Sequence, residues 1–429
     1  MLNKREYPPI GETVFYDRLE NGLRLCVVPR RGFTTSLAML TVDFGSTESA
    51  VKYKGKTIPL PSGTAHFLEH RVFEMAGGVS AMSVLTDMGA NVNAFTASDL
   101  TAYHFDCSSG FMDALEVFLS FIFHPEITEE GVRKEKPIIL REIAMSRDEP
   151  ETELYYGLLR CLFKRHPIRE PILGTEETVG TIDSELLNIC HSVFYVPANM
   201  ALTVVGDLDP IQVRDHVERV IASDYYNPPE RIPGPRDMGK PVSVHRKKAM
   251  EISGDMFLAG AKTDSPQNGK ALQREEIVSA LALCYLMGEA SPLYNRMYEE
   301  GIVNETFSFE SEITGGVSFI SLGGESPDPG RVMDAVFAEA EAVVKAGLDE
   351  KRFSRLKKAA IGDELRDLNS FECIADGASW AMLRGYDFFD TVSVIKSVEA
   401  EEIREYIAKS FVRDRFAVSE ILAKGGQEQ

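Results

Sequence analysis

This 429-residue chain has no histidine after position 245. All eight stand at positions 66, 70, 104, 124, 166, 191, 216 and 245, so a histidine-based metal site belongs to the first half. Cysteine is sparse as well. The six residues, at 26, 107, 161, 190, 284 and 373, form no C-x-x-C pair and no dense framework. That spacing excludes a disulfide scaffold and fits isolated, reduced thiols. No run approaches the roughly 18 apolar residues that a membrane helix needs, so no span is expected. The opening MLNKREYPPIGETVF lacks the apolar core of a secretory signal, which leads us to expect a cytoplasmic protein. The glycine pairs at 77–78, 315–316 and 323–324 carry no phosphate-loop pattern, and no G-x-S-x-G is present, so nucleotide binding and serine-hydrolase chemistry are not indicated. Positive charge is in short supply: 46 Lys and Arg against 66 Asp and Glu give a formal charge of −20. Such a balance works against non-specific nucleic-acid binding and against anionic membranes, and its sign suits a basic substrate.

What the chain does have is His66-Phe67-Leu68-Glu69-His70, an H-x-x-E-H pattern. Two imidazoles four residues apart lie on one face of a helix, about one turn from each other, and can reach one ion. Glu69 sits on the same side, where a carboxylate can take a proton from water at the metal. With this composition the pattern arises by chance on the order of 0.015 times per chain. The local sequence predicts a helix over 62–76, capped by Ser62 or Thr64 and ended by Gly77-Gly78. A catalytic zinc takes three protein ligands and leaves one position open, so a third ligand is required. Glu135 and Glu142, seven residues apart and on one helical face, both qualify, and spacing does not choose between them. Pro137 lies between them and is expected to kink that helix.

Taken together, these residues resemble the insulinase/pitrilysin family of zinc peptidases, in its short branch of processing-peptidase-like bacterial proteins. Further similar segments are Leu19-Glu20-Asn21-Gly22-Leu23, Gly89-Ala90-Asn91-Val92-Asn93-Ala94-Phe95-Thr96, Leu173-Gly174-Thr175-Glu176-Glu177 and Tyr195-Val196-Pro197-Ala198-Asn199-Met200. The resemblance is specific over 15–225 and weaker to about 420. It implies zinc as the cofactor, His66, His70 and Glu142 as its ligands, Glu69 as the catalytic base and Glu135 as a supporting carboxylate. It also implies that the strand holding Asn93, Ala94 and Phe95 binds an extended peptide substrate, as an open strand edge can. One family feature is missing. Where the family has R-x-x-G-L-x-Y, this chain has Tyr298-Glu299-Glu300-Gly301-Ile302-Val303-Asn304, with Tyr298 in place of the Arg and Asn304 in place of the Tyr.

At this length two domains are expected. Four prolines between Pro228 and Pro235 read as a linker. We expect a zinc-bearing domain at 1–225, a linker at 226–240 and a second, metal-free, homologous domain at 241–429. Residues 1–15 read as an irregular lead-in. The expected fold class is α+β: two related α/β domains, each a mainly antiparallel sheet covered on one face by helices. The expected function is a zinc-dependent endopeptidase, paired as a dimer with a related subunit. The alternative is a non-catalytic or scaffolding peptide-binding subunit of such a dimer.

Overall fold

The computed structural model describes residues 2–221, 227–232, 234–235, 237 and 239–424. In chain order the first half gives strands β1 (Asn3–Tyr7), β2 (Glu12–Arg18), β3 (Arg24–Pro29) and β4 (Ser36–Val42), then helix α1 (Thr64–Val72) and strands β5 (Asn91–Thr96) and β6 (Thr101–Cys107). Helices α2 (Phe111–Phe123), α3 (Glu129–Asp148), α4 (Pro150–Leu162) and α5 (Ser184–Phe194) follow, with strand β7 (Met200–Gly206) and helix α6 (Pro210–Val220). The second half gives β8 (His245–Met250), β9 (Met256–Lys262), α7 (Gly269–Met287), β10 (Ser308–Thr314) and β11 (Val317–Glu325). Helices α8 (Pro329–Ala346), α9 (Glu350–Asp367), α10 (Phe371–Arg384) and α11 (Ala400–Ser410) precede the last strand, β12 (Phe416–Ala423).

Two compact units result, and neither is continuous in sequence. One comprises Met1–Ile143, Glu170–Gly234 and Leu365–Asp390; the other comprises Ala144–Arg169, Pro235–Glu364 and Thr391–Gln429. The linker expected at 226–240 lies partly outside the described residues, at 226, 233, 236 and 238.

The first unit is built on a seven-stranded sheet in the order β1-β2-β3-β7-β4-β6-β5, antiparallel except for the parallel pair β3 and β7. Strands β4 and β7 are buried along their whole length, and both read as apolar runs rather than alternating ones because both faces are covered. On one face Leu25, Leu40 and Leu202 pack with Phe67 and Leu68 of α1 and Phe118 of α2. On the other, Cys26, Met39 and Ala102 pack with Ile374, Ala375 and Ala378 of α10. Each large side chain buried this way contributes about 1.5–3 kcal/mol.

The second unit has a five-stranded sheet in the order β8-β12-β9-β11-β10, with β8 and β12 parallel. Its five strands, in chain order, occupy the same places as β3, β4, β5, β6 and β7 do in the first sheet. The parallel pair falls at the same point in both. This shared order is the structural mark of a duplicated domain. Helices α7, α8 and α11 bury one face, through residues such as Leu286, Val336 and Ile407. The other face carries Leu158, Leu159 and Leu162 of α4 against Phe319 and Ala417.

Three expectations need correction. Residues 1–15 are not irregular: β1 and β2 form an antiparallel pair at the sheet edge. Four of the five residues of β1 are exposed, so the segment shows no alternation to read. The sheets are covered on both faces, not one, because α10 in the first unit and α4 in the second each take the face that the other helices leave. The start of α1 is capped by neither Ser62 nor Thr64. Its N-cap is Gly63, at φ 91°, which makes no side-chain capping bond, and the Thr64 hydroxyl instead donates to the Pro61 carbonyl at 2.6 Å.

Candidate metal and catalytic site

The site lies in the first unit, on α1, α3 and β5. Helix α1 is held by burial on most of its circumference: Ala65, Phe67, Leu68 and Val72 enter the core. That leaves His66 and His70 on the side toward α3, one turn apart, with their rings 4.6 Å apart. Helix α3 begins where Thr128 Oγ1 accepts the Gly131 N–H at 3.1 Å, and it runs from Glu129 to Asp148 with Pro137 inside it. The proline does not carry Glu135 away from α1.

Glu142 Oε2 lies 3.6 Å from His66 Nε2 and 3.6 Å from His70 Nε2. The three ligand atoms all fall within 4.8 Å of one another. Ligands at about 2.0–2.1 Å around a tetrahedral zinc stand roughly 3.3 Å apart, so these donors already surround a space of the size the ion takes. Two neutral nitrogens and one carboxylate oxygen also suit zinc chemically. Zinc is the cofactor this donor set fits.

The supporting contacts fix the donors. His70 Nδ1 donates to Glu135 Oε1 at 3.0 Å, which leaves the lone pair of Nε2 facing Glu142. Glu135 Oε2 in turn lies 3.5 Å from Arg71 Nη1, and Arg71, only 4% exposed, also pairs with Glu74. Gly131 on α3 leaves room for the Arg71 guanidinium, which a larger residue there would have to push aside. His66 has no such orienting partner, and its Nδ1 is buried without a hydrogen bond among the described residues.

Electrostatics separates the two histidines. Burial, helped by the neighbouring His70, pushes His66 down to about 4 and keeps its imidazole neutral. Burial also opposes charge on His70, but the Glu135 hydrogen bond and the carboxylates of Glu142 and Glu69 outweigh it and raise the net value. Glu135 is held below the usual carboxylate range, first by its bond with His70. Burial raises Glu69, against the pull of a hydrogen bond from Thr96.

Glu69 stands outside the three-donor set. Its Oε2 accepts from Thr96 Oγ1 at 2.6 Å. Asn93, Ala94 and Phe95 lie on β5, the edge strand of the sheet, hydrogen-bonded to β6 on one side and to no other strand among the described residues. Asn93 and Phe95 are exposed and Ala94 is half-buried; the Ala94 N–H is taken by Asn93 Oδ1 at 2.9 Å. Sequence reading did not single out Thr96, Arg71 or Glu74. A β-strand's two-residue alternation puts Thr96 on the same face as Ala94, but only the fold shows that α1 lies there.

Comparison with known proteins fits this geometry. The profile of the insulinase family, peptidase family M16, matches residues 30–176, and that of the M16 inactive domain matches 181–360. The zinc protease YmfH of Bacillus subtilis, described as uncharacterized, is 33% identical over 99% of this chain and 100% of its own length. The chain belongs to the M16 peptidase family. A crystal structure of an M16-like peptidase from Alicyclobacillus acidocaldarius superposes with a TM-score of 0.91 at 28% identity, covering 99% of both chains. Pitrilysin shares the fold, with a TM-score of 0.78 at 18% identity, and this chain covers 46% of it. Against that M16 background, the departure at 298–304 is visible in the second unit. Asn304 Nδ2 donates to Glu325 at 2.8 Å, and Arg296, two residues before the position where the family has its Arg, lies 3.4 Å from Glu339. Among the described residues no single helix is long and apolar enough to cross a membrane.

Proposed function

We propose that this chain is a zinc-dependent endopeptidase acting on peptides held in extended form. The observation that carries the proposal is the convergence of His66 Nε2 and His70 Nε2 on one Glu142 oxygen, with Glu69 alongside but outside the set. In this reading His66, His70 and Glu142 hold the ion. Zinc, when bound, polarises a carbonyl oxygen and lowers the pKa of water. Glu69 accepts the proton of the attacking water at its carboxylate and hands it to the departing amide nitrogen. Its burial raises its proton affinity toward the working pH, which suits a group that must both take and give a proton. Glu135, anchored by Arg71, orients the His70 ring. The free edge of β5 pairs with the substrate backbone near Asn93, Ala94 and Phe95, and the peptide adds as a further strand.

The loss of the Arg and Tyr at 298 and 304 favours a refinement: a related subunit pairs with this chain and supplies the missing donors. The competing reading, a non-catalytic peptide-binding subunit, is disfavoured because such a subunit needs no general base beside a metal site. We place the protein in the cytoplasm, on the six cysteines being free, four of them buried. The test is cleavage of internally quenched peptides by zinc-loaded wild type and Glu69→Gln, with and without a related subunit. Cleavage by wild type, lost in Glu69→Gln, is expected. Equal cleavage by both would overturn the reading.

A further inference from the structure

Glu69 poses a physical problem. It is 9% exposed, it neighbours His70 in sequence, and it shares helix α1 with both histidines of the donor set. A carboxylate in such a place competes to become a ligand itself once a dication is bound. Ligation would spend the lone pairs that a base needs. Something must hold Glu69 beside the metal position without letting it join the coordination set.

The nearby hydroxyls of Tyr103 and Tyr195 bond to each other at 2.8 Å, and neither bonds Glu69 among the described residues. The hydrogen bond to Glu69 is the one from Thr96 Oγ1. Thr96 ends β5, and its own position is set from both sides. It is paired across the ladder with Thr101, whose hydroxyl donates to the Phe44 carbonyl at 2.8 Å. Gly45, next to Phe44, lets the chain pack against the β5–β6 turn: a Cβ there would lie 2.4 Å from the Asp99 backbone nitrogen. Asp99 itself pairs with Arg384 of α10. The donor is therefore on a fixed piece of the sheet rather than on a loose loop.

We infer that Thr96 is a positioning residue for this reaction: its hydroxyl holds Glu69 as a base and keeps it from becoming a fourth protein ligand. The inference rests on the endopeptidase reading above. It also ties two functions together. Phe95, one residue earlier, lies on the strand that takes the substrate in that reading, so one strand sets the position of both peptide and base.

The test compares wild type, Thr96→Val and Thr96→Ser, each loaded with zinc and, separately, with cobalt(II). Valine keeps the shape and removes the donor; serine keeps the donor. In Thr96→Val, kcat should fall about 10- to 100-fold with KM, zinc content and unfolding temperature near wild type. Its cobalt(II) visible absorption should weaken and shift as Glu69 adds to the coordination. Thr96→Ser should restore both. A cobalt spectrum in Thr96→Val identical to wild type would overturn the inference, as would a Thr96→Ser protein as impaired as Thr96→Val. The spectrum decides the matter apart from turnover. Wild-type turnover in Glu69→Gln would instead sink the endopeptidase reading.

Discussion

At the residue scale, two carboxylates that look equivalent on one helical face do different work. Glu142 reaches both histidines, whereas Glu135 bonds the far side of the His70 ring and is held by Arg71. Glu142→Gln should therefore lose zinc. Glu135→Gln should keep most of its zinc and lose activity less severely than Glu69→Gln, which should lose about 10²-fold or more while keeping the metal. Metal analysis and peptide cleavage on the three variants check this; zinc lost from Glu135→Gln but kept by Glu142→Gln would mean the roles are exchanged. The histidine pair and Glu69 were legible in the sequence because their arrangement is local: one helical turn brings 66, 69 and 70 to one side. The choice of Glu142 over Glu135 was not legible from spacing, since seven residues return to the same face, and came from the family resemblance. Thr96 and Arg71 were not found at all. Their partners lie 27 and 64 residues away, at Glu69 and Glu135, and such contacts exist only once the sheet and helices are placed.

At the element scale, the start of α1 depends on one glycine. Gly63 has φ 91°, and a Cβ there would approach the Leu173 carbonyl oxygen to 2.6 Å. Gly63→Ala should cost about 1–3 kcal/mol and lower the unfolding midpoint, because it combines left-handed backbone strain with a backbone clash. An unchanged midpoint would contradict that view of the α1 start. In the second unit, Glu312 on β10 faces α4. Tyr155 Oη donates to its Oε2 at 2.7 Å, while Oε1 is buried without a partner among the described residues. Burial pushes Glu312 up to about 7, the Tyr155 bond opposing and Glu310 adding to the rise. Its folded value lies above the unfolded one near 4.5. Its contribution is thus fully present below about pH 4.5 and is lost as pH rises through about 7. Wild type should lose thermal stability relative to Glu312→Gln between pH 5 and 8, measured by scanning calorimetry; parallel curves would contradict this. The same element shows a limit of sequence reading. The pattern of α4 announces an amphipathic helix, but an apolar stripe does not say which sheet it will cover.

At the scale of the whole molecule, the two sheets share a strand order, and the halves differ in chemistry because residues 241–429 hold a single histidine, His245, too few for a histidine-based metal site. The repeat was legible as a similar order of elements. The segment exchange was not, because both long connecting helices, α3 and α9, read as ordinary helices that stay within their own halves. The missing Arg and Tyr at 298 and 304 lead to a prediction about assembly. The isolated chain, shown to be monomeric by light scattering, should cleave peptides weakly, and a related subunit should raise its turnover. Full turnover by the monomer would mean that no partner is needed. The account stands or falls on a division of labour between ligands and base. The most direct test of it is zinc per chain, by elemental analysis, in wild type, His70→Ala and Glu69→Gln. About one zinc is predicted in wild type and in Glu69→Gln, and none in His70→Ala. Zinc at the wild-type level in His70→Ala would contradict the account.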